Sequence, residues 1–453
     1  MKTNRMLFIC LLMQVAHVQA ESMAFVNVNV LPMTTETVLR ARTVIVEDGK
    51  ITTIGNVDDT VLPDDAAVVD GTDRYLMPGL AEMHGHVTGT SPQQLERLLG
   101  LYLANGVTVV RGMLGRPAHL KLREQLLAGQ VIGPRLISSG PSFNGNSVDG
   151  PEQARAMVRE QHAAGYDFLK IHPGLSRLEF DAVATTANEL GIPFAGHVPE
   201  DVGVPRALDA GIASIDHLDG YMATLMPANY DRSGGFGGFF GVFIAAQADA
   251  DRIDGIAAHT ARAGVWNVPT ESLFEHVTSE MRPDVMAGWP EMKYMPAANV
   301  RRWRASKENL FNDPQYDAAA AVRAIEIRRQ LIRALHEAGA GLLLGSDSPQ
   351  IFNVPGFALH RELAFLVAAG LSPYEALRTG TVGPASFLGK QQEFGQVKIG
   401  LDADLVLLDA NPLEDISNSR RVHGVMLRGR WFSRQQLDEK LARIARQVSE
   451  PAT

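Results

Sequence analysis

Between about residues 76 and 388, short apolar runs alternate with stretches of helical periodicity. Eight of the runs read as strands, centred on 79–83, 107–110, 135–138, 168–171, 193–196, 214–216, 265–269 and 341–344. Strand–helix alternation predicts a parallel sheet, and eight strands are what a TIM barrel needs. Several helix starts are legible. Ser176 with Glu179 is a capping box, and Ser372-Pro373-Tyr374-Glu375 adds proline at the first helical position. Asp149-Gly150-Pro151-Glu152 opens another helix towards Ala164.

Both ends of the chain carry a different pattern. Val44-Ile45-Val46-Glu47 and Lys50-Ile51-Thr52-Thr53-Ile54 flank Asp48-Gly49, a strong hairpin signal. β character returns at Ala403–Leu408 and Gly424–Gly429. The expected fold class is therefore α/β: a TIM (β/α)8 barrel over 76–388, a small composite β domain from 21–75 and 389–432, and a helical tail over 433–453.

Two connections after strand ends are long. Residues 221–247 hold a glycine- and phenylalanine-rich cluster, and 272–316 hold Trp289, Trp303 and several methionines. Long loops at that end of a barrel are expected to act as lids or binding loops, with packing against a second subunit as the alternative. The glycine cluster does not sit between a strand and a helix in the dinucleotide pattern, so it is not read as a phosphate cradle.

Composition adds little to the fold but narrows the chemistry. The 453 residues are 45% hydrophobic and 21% charged, with room for one large domain and one small. The net charge of −9 leaves no basic footprint for nucleic acid. Lys2 and Arg5, the apolar run from Met6 to Val15, and Val18-Gln19-Ala20 read as a signal peptide over 1–20, too short to span a membrane. An uncleaved anchor is the alternative. Periplasmic or secreted location, with no membrane span after signal removal, is the expectation. Cys10, the only cysteine, lies inside this stretch behind bulky Leu7-Phe8-Ile9, a poor lipoprotein pattern. Any transition metal must then be held by nitrogen and oxygen.

The candidate chemistry gathers at strand ends. In Met83-His84-Gly85-His86, alternation points both imidazoles the same way, a spacing that suits zinc but also a structural pair. Lys170 interrupts an apolar strand. Buried there, it is either paired with a carboxylate or has a depressed pKa, and a neutral amine can add carbon dioxide to form a carbamate. His197 and His217 end two consecutive strands; each alone is either a ligand or a hydrogen-bonded histidine. Asp347 follows the apolar run 342–344 at the end of the last strand. The agreement between six such residues on one face carries more weight than any one of them.

The constellation resembles the amidohydrolase superfamily, in the branch of imidazolonepropionase and the metal-dependent Xaa-Pro dipeptidases. The resemblance runs from Phe25 to Trp431. Its most specific pieces are the stretch from Met77 to His86, Gly165–Ile171, Ser214-Ile215-Asp216-His217, Gly345-Ser346-Asp347, and the tail Gly395–Val406 with Asn411-Pro412-Leu413. It implies two divalent ions, with His84, His86 and Asp347 on one, His197 and His217 on the other, and carboxylated Lys170 bridging. Zinc is the default for this donor set. Arg111-Gly112 stands where the family often has Arg-Asp, and Phe143-Asn144-Gly145-Asn146 replaces a Gly-Gly-His stretch of the peptidases.

On this reading the chain is an exported amidohydrolase that cleaves an amide bond in a small molecule such as a dipeptide or N-acyl amino acid. Asp347 would shuttle the proton, and Tyr221 would either bind the oxyanion or pack as a loop tyrosine against the Phe240 region. His172 and Arg111 are substrate-contact candidates, with support of the ligands from behind as the alternative for His172. A mononuclear deaminase using Glu200 of His197-Val198-Pro199-Glu200 is one rival, although Glu200 also suits a helix N-terminus. A binding protein that kept the barrel without catalysis is the other. Homo-oligomerisation is left open.

Overall fold

A computed structural model describes residues 22–231 and 237–449 of the chain. The expected signal peptide and part of the glycine cluster (Gly234, Gly235 and Phe236) lie outside the described residues, as do residues 450–453.

Alternating apolar positions near the N-terminus form β1 (Met23–Val30), β2 (Leu39–Glu47), β3 (Lys50–Asn56), β4 (Ala67–Asp70) and β5 (Tyr75–Pro78). Asp48 and Gly49 both take positive φ, as a two-residue hairpin turn requires, and pair Glu47 with Lys50. The barrel-side strands are β6 (Leu80–Gly85), β7 (Val107–Gly112), β8 (Arg135–Ser138), β9 (Leu169–Ile171), β10 (Phe194–Gly196), β11 (Ser214–Asp216) and β12 (Trp266–Val268). The C-terminal strands are β13 (Leu405–Leu408), β14 (Val422–Leu427) and β15 (Arg430–Ser433). One eight-stranded sheet runs β15-β14-β13-β5-β1-β2-β3, with β4 also on β1, and so draws on both halves of the sequence.

The middle strands form two parallel sheets, β6-β7-β8 and β9-β10-β11-β12. Parallel bridges from Ser139 to Phe168 and from Phe143 to Ile171 connect them on one side. On the other side residues 341–348 bridge Asn267 to Leu342 and Gly85 to Ser348. Together with the helices between strands this is a TIM-barrel-like α/β fold. The last predicted strand, 341–344, is held by isolated bridges and backbone bonds only; Leu343 N–H donates to Asn267 O, and Met83 N–H to Leu344 O. The interior fills with Ala81, Met83, Val109, Ile137, Ala195, Val268 and Leu343, all buried.

Both predicted capping boxes close, on Ser176–Glu179 and Ser372–Glu375. The helix predicted from Asp149 runs Gly150–Ala164. The stretch 272–316 is not an open loop. It folds as helices Glu271–Thr278, Pro283–Ala287 and Ala297–Phe311, with a 3-10 turn between them, because prolines at 283, 290 and 296 start new turns. Most of its aromatic and methionine side chains are spent within the chain, and Met281 stays exposed. Met286, Met292, Met295 and Trp303 pack with Leu101, Phe352, Val354 and Ile444. The helix Arg434–Ser449 supplies Ile444 to that cluster.

Charge ties the terminal sheet to the barrel. Arg135, at the start of β8, reaches Asp402 at 2.8 Å and the buried Asp404 at 3.4 Å. Asp404 also accepts the Arg428 backbone N–H at 2.8 Å. Removing the guanidinium strands a buried carboxylate. Arg135→Met is expected to lower unfolding stability by about 3 kcal/mol in urea titration.

Candidate metal centre

The site begins where 344–348 zips along the end of β6. Met83 N–H donates to Leu344 O, Asp347 N–H to His84 O and His86 N–H to Ser348 O, at 2.8, 2.8 and 2.9 Å. Gly345 permits that approach, since a Cβ there would stand 2.8 Å from His84 N and 2.5 Å from a Val268 methyl. The Asp347 carboxylate lands 2.6 Å from His86 Nε2 and 3.5 Å from His84 Nε2. Donor atoms of His84, His86 and Asp347 all lie within 4.8 Å of one another, and the three residues are buried.

Glu82 fixes the same corner from below. Its carboxylate accepts His84 N–H at 3.0 Å, Ser346 N–H at 2.8 Å, and the Ser346 hydroxyl. Burial pushes its acid up to about 7.

The other imidazoles come from β10 and β11. The His84 and His217 rings are 4.4 Å apart, and His217 and His197 are 4.7 Å apart. Each of the latter two has one nitrogen committed. His197 Nδ1 meets Asp219 Oδ2 at 2.9 Å, and His217 Nδ1 meets Thr270 Oγ1 at 2.8 Å. Partners on Nδ1 orient the ring and leave Nε2 for a ligand, the usual arrangement around metal-binding histidines. His217 and Thr270 both take left-handed φ, 63° and 49°. Arg328 clamps that turn by donating to His217 O at 2.7 Å and Pro269 O at 2.9 Å.

Lys170 on β9 is fully buried, with Nζ 3.3 Å from Asp216 Oδ2. The same carboxylate lies 3.2 Å from His84 Nδ1 and takes Arg111 Nη2 at 3.0 Å. Burial opposes its ionisation, yet Arg111 and Lys170 together hold Asp216 below the usual carboxylate range. Burial draws Lys170 below the ordinary amine value. It draws His84 and His217 well below the imidazole value, helped by the neighbouring Lys170 and His84 respectively. Imidazole rings, carboxylates and a buried amine make a nitrogen–oxygen donor set, with His84 Nδ1 turned to Asp216 and Nε2 to Asp347. These residues fit a divalent metal.

The structure brings together His84, His86, Lys170, His197, His217 and Asp347. His172 joins them at the rim, its ring stacked on His197 at 5.1 Å and held by burial down to about 2. The Phe143 stretch runs along β9 beside it, with His172 N–H donating to Phe143 O at 2.8 Å. Two expectations are corrected. Tyr221 does not reach the imidazoles. Its hydroxyl meets Thr260 and Asn267 at 3.0 Å each, behind the sheet, because the left-handed His217 and Leu218 turn the chain outward. Arg111 does not face substrate. It is 1% exposed, donates to Ser214, Asp216 and Met83 O, and lies against the rings of Phe168 and Phe387. Glu200, the deaminase acid, is exposed in the turn before the helix Gly203–Asp209. Asp216, Glu82, Asp219 and Thr270 are the site residues that sequence reasoning left without a role.

The chain resembles known proteins in sequence and in fold. The amidohydrolase family model matches residues 75–432. An ochratoxinase of Aspergillus niger is 20% identical over 409 residues, covering 75% of this chain and 71% of that protein. A solved bottromycin amidohydrolase superposes with TM-score 0.72 at 25% identity, over 94% of this chain and 91% of its own. A Xaa-Pro dipeptidase with methionine bound in its active site has TM-score 0.66 at 19% identity, over 91% of this chain and 100% of its own.

The two corrected residues separate in experiment. Arg111→Met should cost about 3–5 kcal/mol in denaturant stability by stranding Asp216, and should lower metal content. A substrate contact would instead raise KM in a protein of normal stability. Tyr221→Phe should cost about 1–2 kcal/mol and leave kcat within about twofold.

Proposed function

We propose, from the premise that the chain belongs to the amidohydrolase family, that it is an exported, metal-dependent hydrolase of an amide bond in a small substrate, either a dipeptide or an N-acyl amino acid. The chain is a hydrolase by family; the export, the bond and the substrate are our reading. The observation that carries it is the convergence of His84, His86 and Asp347 within 4.8 Å, with the His217 ring 4.4 Å from that of His84 and Lys170 buried alongside. We read the two parallel sheets as one (β/α)8 barrel whose rim carries the site, and 21–75 with 389–432 as its composite β domain.

His84, His86 and Asp347 would hold one ion and His197 and His217 a second, with Lys170 joining both as its carbamate; zinc is the proposed metal. Such ions supply a water acidified towards neutral pH and a Lewis acid for the carbonyl. The chain's own residues do the rest. Asp219 and Thr270 hold two rings in one tautomer through Nδ1. Asp347 takes the proton of the attacking water on a carboxylate oxygen and returns it to the leaving nitrogen. Burial of the imidazoles keeps bulk water from competing. The similarity to a dipeptidase and an amidohydrolase supports the choice of an amide. The signal-like residues 1–20 support export.

Purified protein is expected to carry two divalent ions per chain, to lose activity with a chelator, and to regain it on adding zinc. Asp347→Asn should lower kcat by about 10²–10⁴-fold. Complete inactivity of fully loaded protein against both a dipeptide and an N-acyl amino acid library would remove the substrate reading. One ion per chain with an unmodified Lys170 would favour the deaminase.

A further inference from the structure

A recess of about 260 Å³ opens beside His197. Pro173, Met222, Phe239 and Phe240 supply its apolar walls, and backbone at Gly220, Gly238 and Gly241 supplies much of the rest. Its polar wall groups, His197 and Asp219, are bound to each other at 2.9 Å. A charged guest would therefore find its counter-charge already engaged, whereas an apolar one would lose only water.

Phe240 sets the shape of this recess. Its ring lies parallel to His217, with centroids 4.8 Å apart and planes 16° apart, and 6.1 Å from the ring of His197. The residue holds φ 48° and ψ 36°, a left-handed conformation that a bulky side chain rarely adopts. Packing sustains it. Phe239 stacks on Phe274 at 6.3 Å, and Gly241 lets the segment sit on Met222, where a Cβ would meet the Met222 side chain at 2.5 Å. A strained aromatic placed over two candidate ligands points to a function at that position.

Volume decides the guest. A cavity of about 150 Å³ accepts a benzene ring, and sites for larger organic ligands start near 300 Å³. At about 260 Å³ the recess has room for one large side chain and little more. We infer that it receives an aromatic or large aliphatic side chain adjoining the scissile amide, and that Phe240 is the specificity-determining residue. This rests on the amide hydrolase reading above.

The test uses metal-loaded, full-length protein and two graded series, N-acetyl amino acids (Gly, Ala, Leu, Phe, Asp) and acyl-glycines with acetyl, isovaleryl and phenylacetyl groups. In one series kcat/KM should rise about ten- to hundredfold from the smallest group to the aromatic one, with N-acetyl-Asp disfavoured in its series. That ratio should collapse in Phe240→Ala and shift towards N-acetyl-Asp in Met222→Lys. Circular dichroism and metal content identify a variant that has only misfolded, and calorimetry on the slow Asp347→Asn protein, with N-acetyl-Phe and phenylacetyl-Gly each against N-acetyl-Gly, gives the same ratio with turnover suppressed. Hydrolysis with equal rates across both series would overturn the recess assignment and leave the hydrolase intact. No hydrolysis at all would remove the amide reading, and calorimetry alone would then judge the recess: a tenfold preference for N-acetyl-Phe or phenylacetyl-Gly over N-acetyl-Gly supports it, and a preference for neither refutes it.

Discussion

The Asp216 carboxylate, sealed from water beneath the imidazoles, is the group on which the rest of the centre leans. It takes Arg111 from β7, Lys170 from β9 and the His84 edge from β6 at 3.0–3.3 Å. A guanidinium, a carboxylate and a buried amine in a dry floor are tolerable only while all stay in contact, because either charge alone would cost several kcal/mol of lost solvation. The floor therefore behaves as a single unit. It sets the height of Lys170 and His84, and strands that are far apart in sequence have to arrive in register for its charges to cancel.

Above that floor the burden passes to residues that never touch a reacting atom. Glu82 braces the backbone of His84 and Ser346, Thr270 and Asp219 each occupy one imidazole nitrogen, and Arg328 pins the strained turn at His217. Rings held on one nitrogen lose rotational freedom and keep the other lone pair directed, which is why such supporting partners matter nearly as much as ligands.

The sequence showed the parts whose signal is local. Histidines that end apolar runs, Ser–Glu capping boxes and Asp48-Gly49 announce themselves within a few residues. Asp216 and Glu82 were visible as letters inside strand motifs, but nothing near them says what they bind; Arg111 lies 105 positions from Asp216 and Ser346 lies 264 from Glu82. Tyr221 misled by proximity, because two successive left-handed residues reversed the chain between it and His217. The stretch 272–316 misled by length, since its helices are short, proline-started and held by a private cluster around Trp303. The last barrel segment was legible as an apolar run although it forms only isolated bridges.

His86 and Asp347 meet across 261 positions, one on the first barrel strand and the other on the last segment. An ion shared by them has no pocket until the chain is nearly whole, so loop-closure entropy is spent before any coordination energy returns. A metal at this corner would therefore latch the fold after it forms rather than nucleate it. Ion uptake would then report on a completed chain, and truncated products would lack both the ion and the stabilisation it brings.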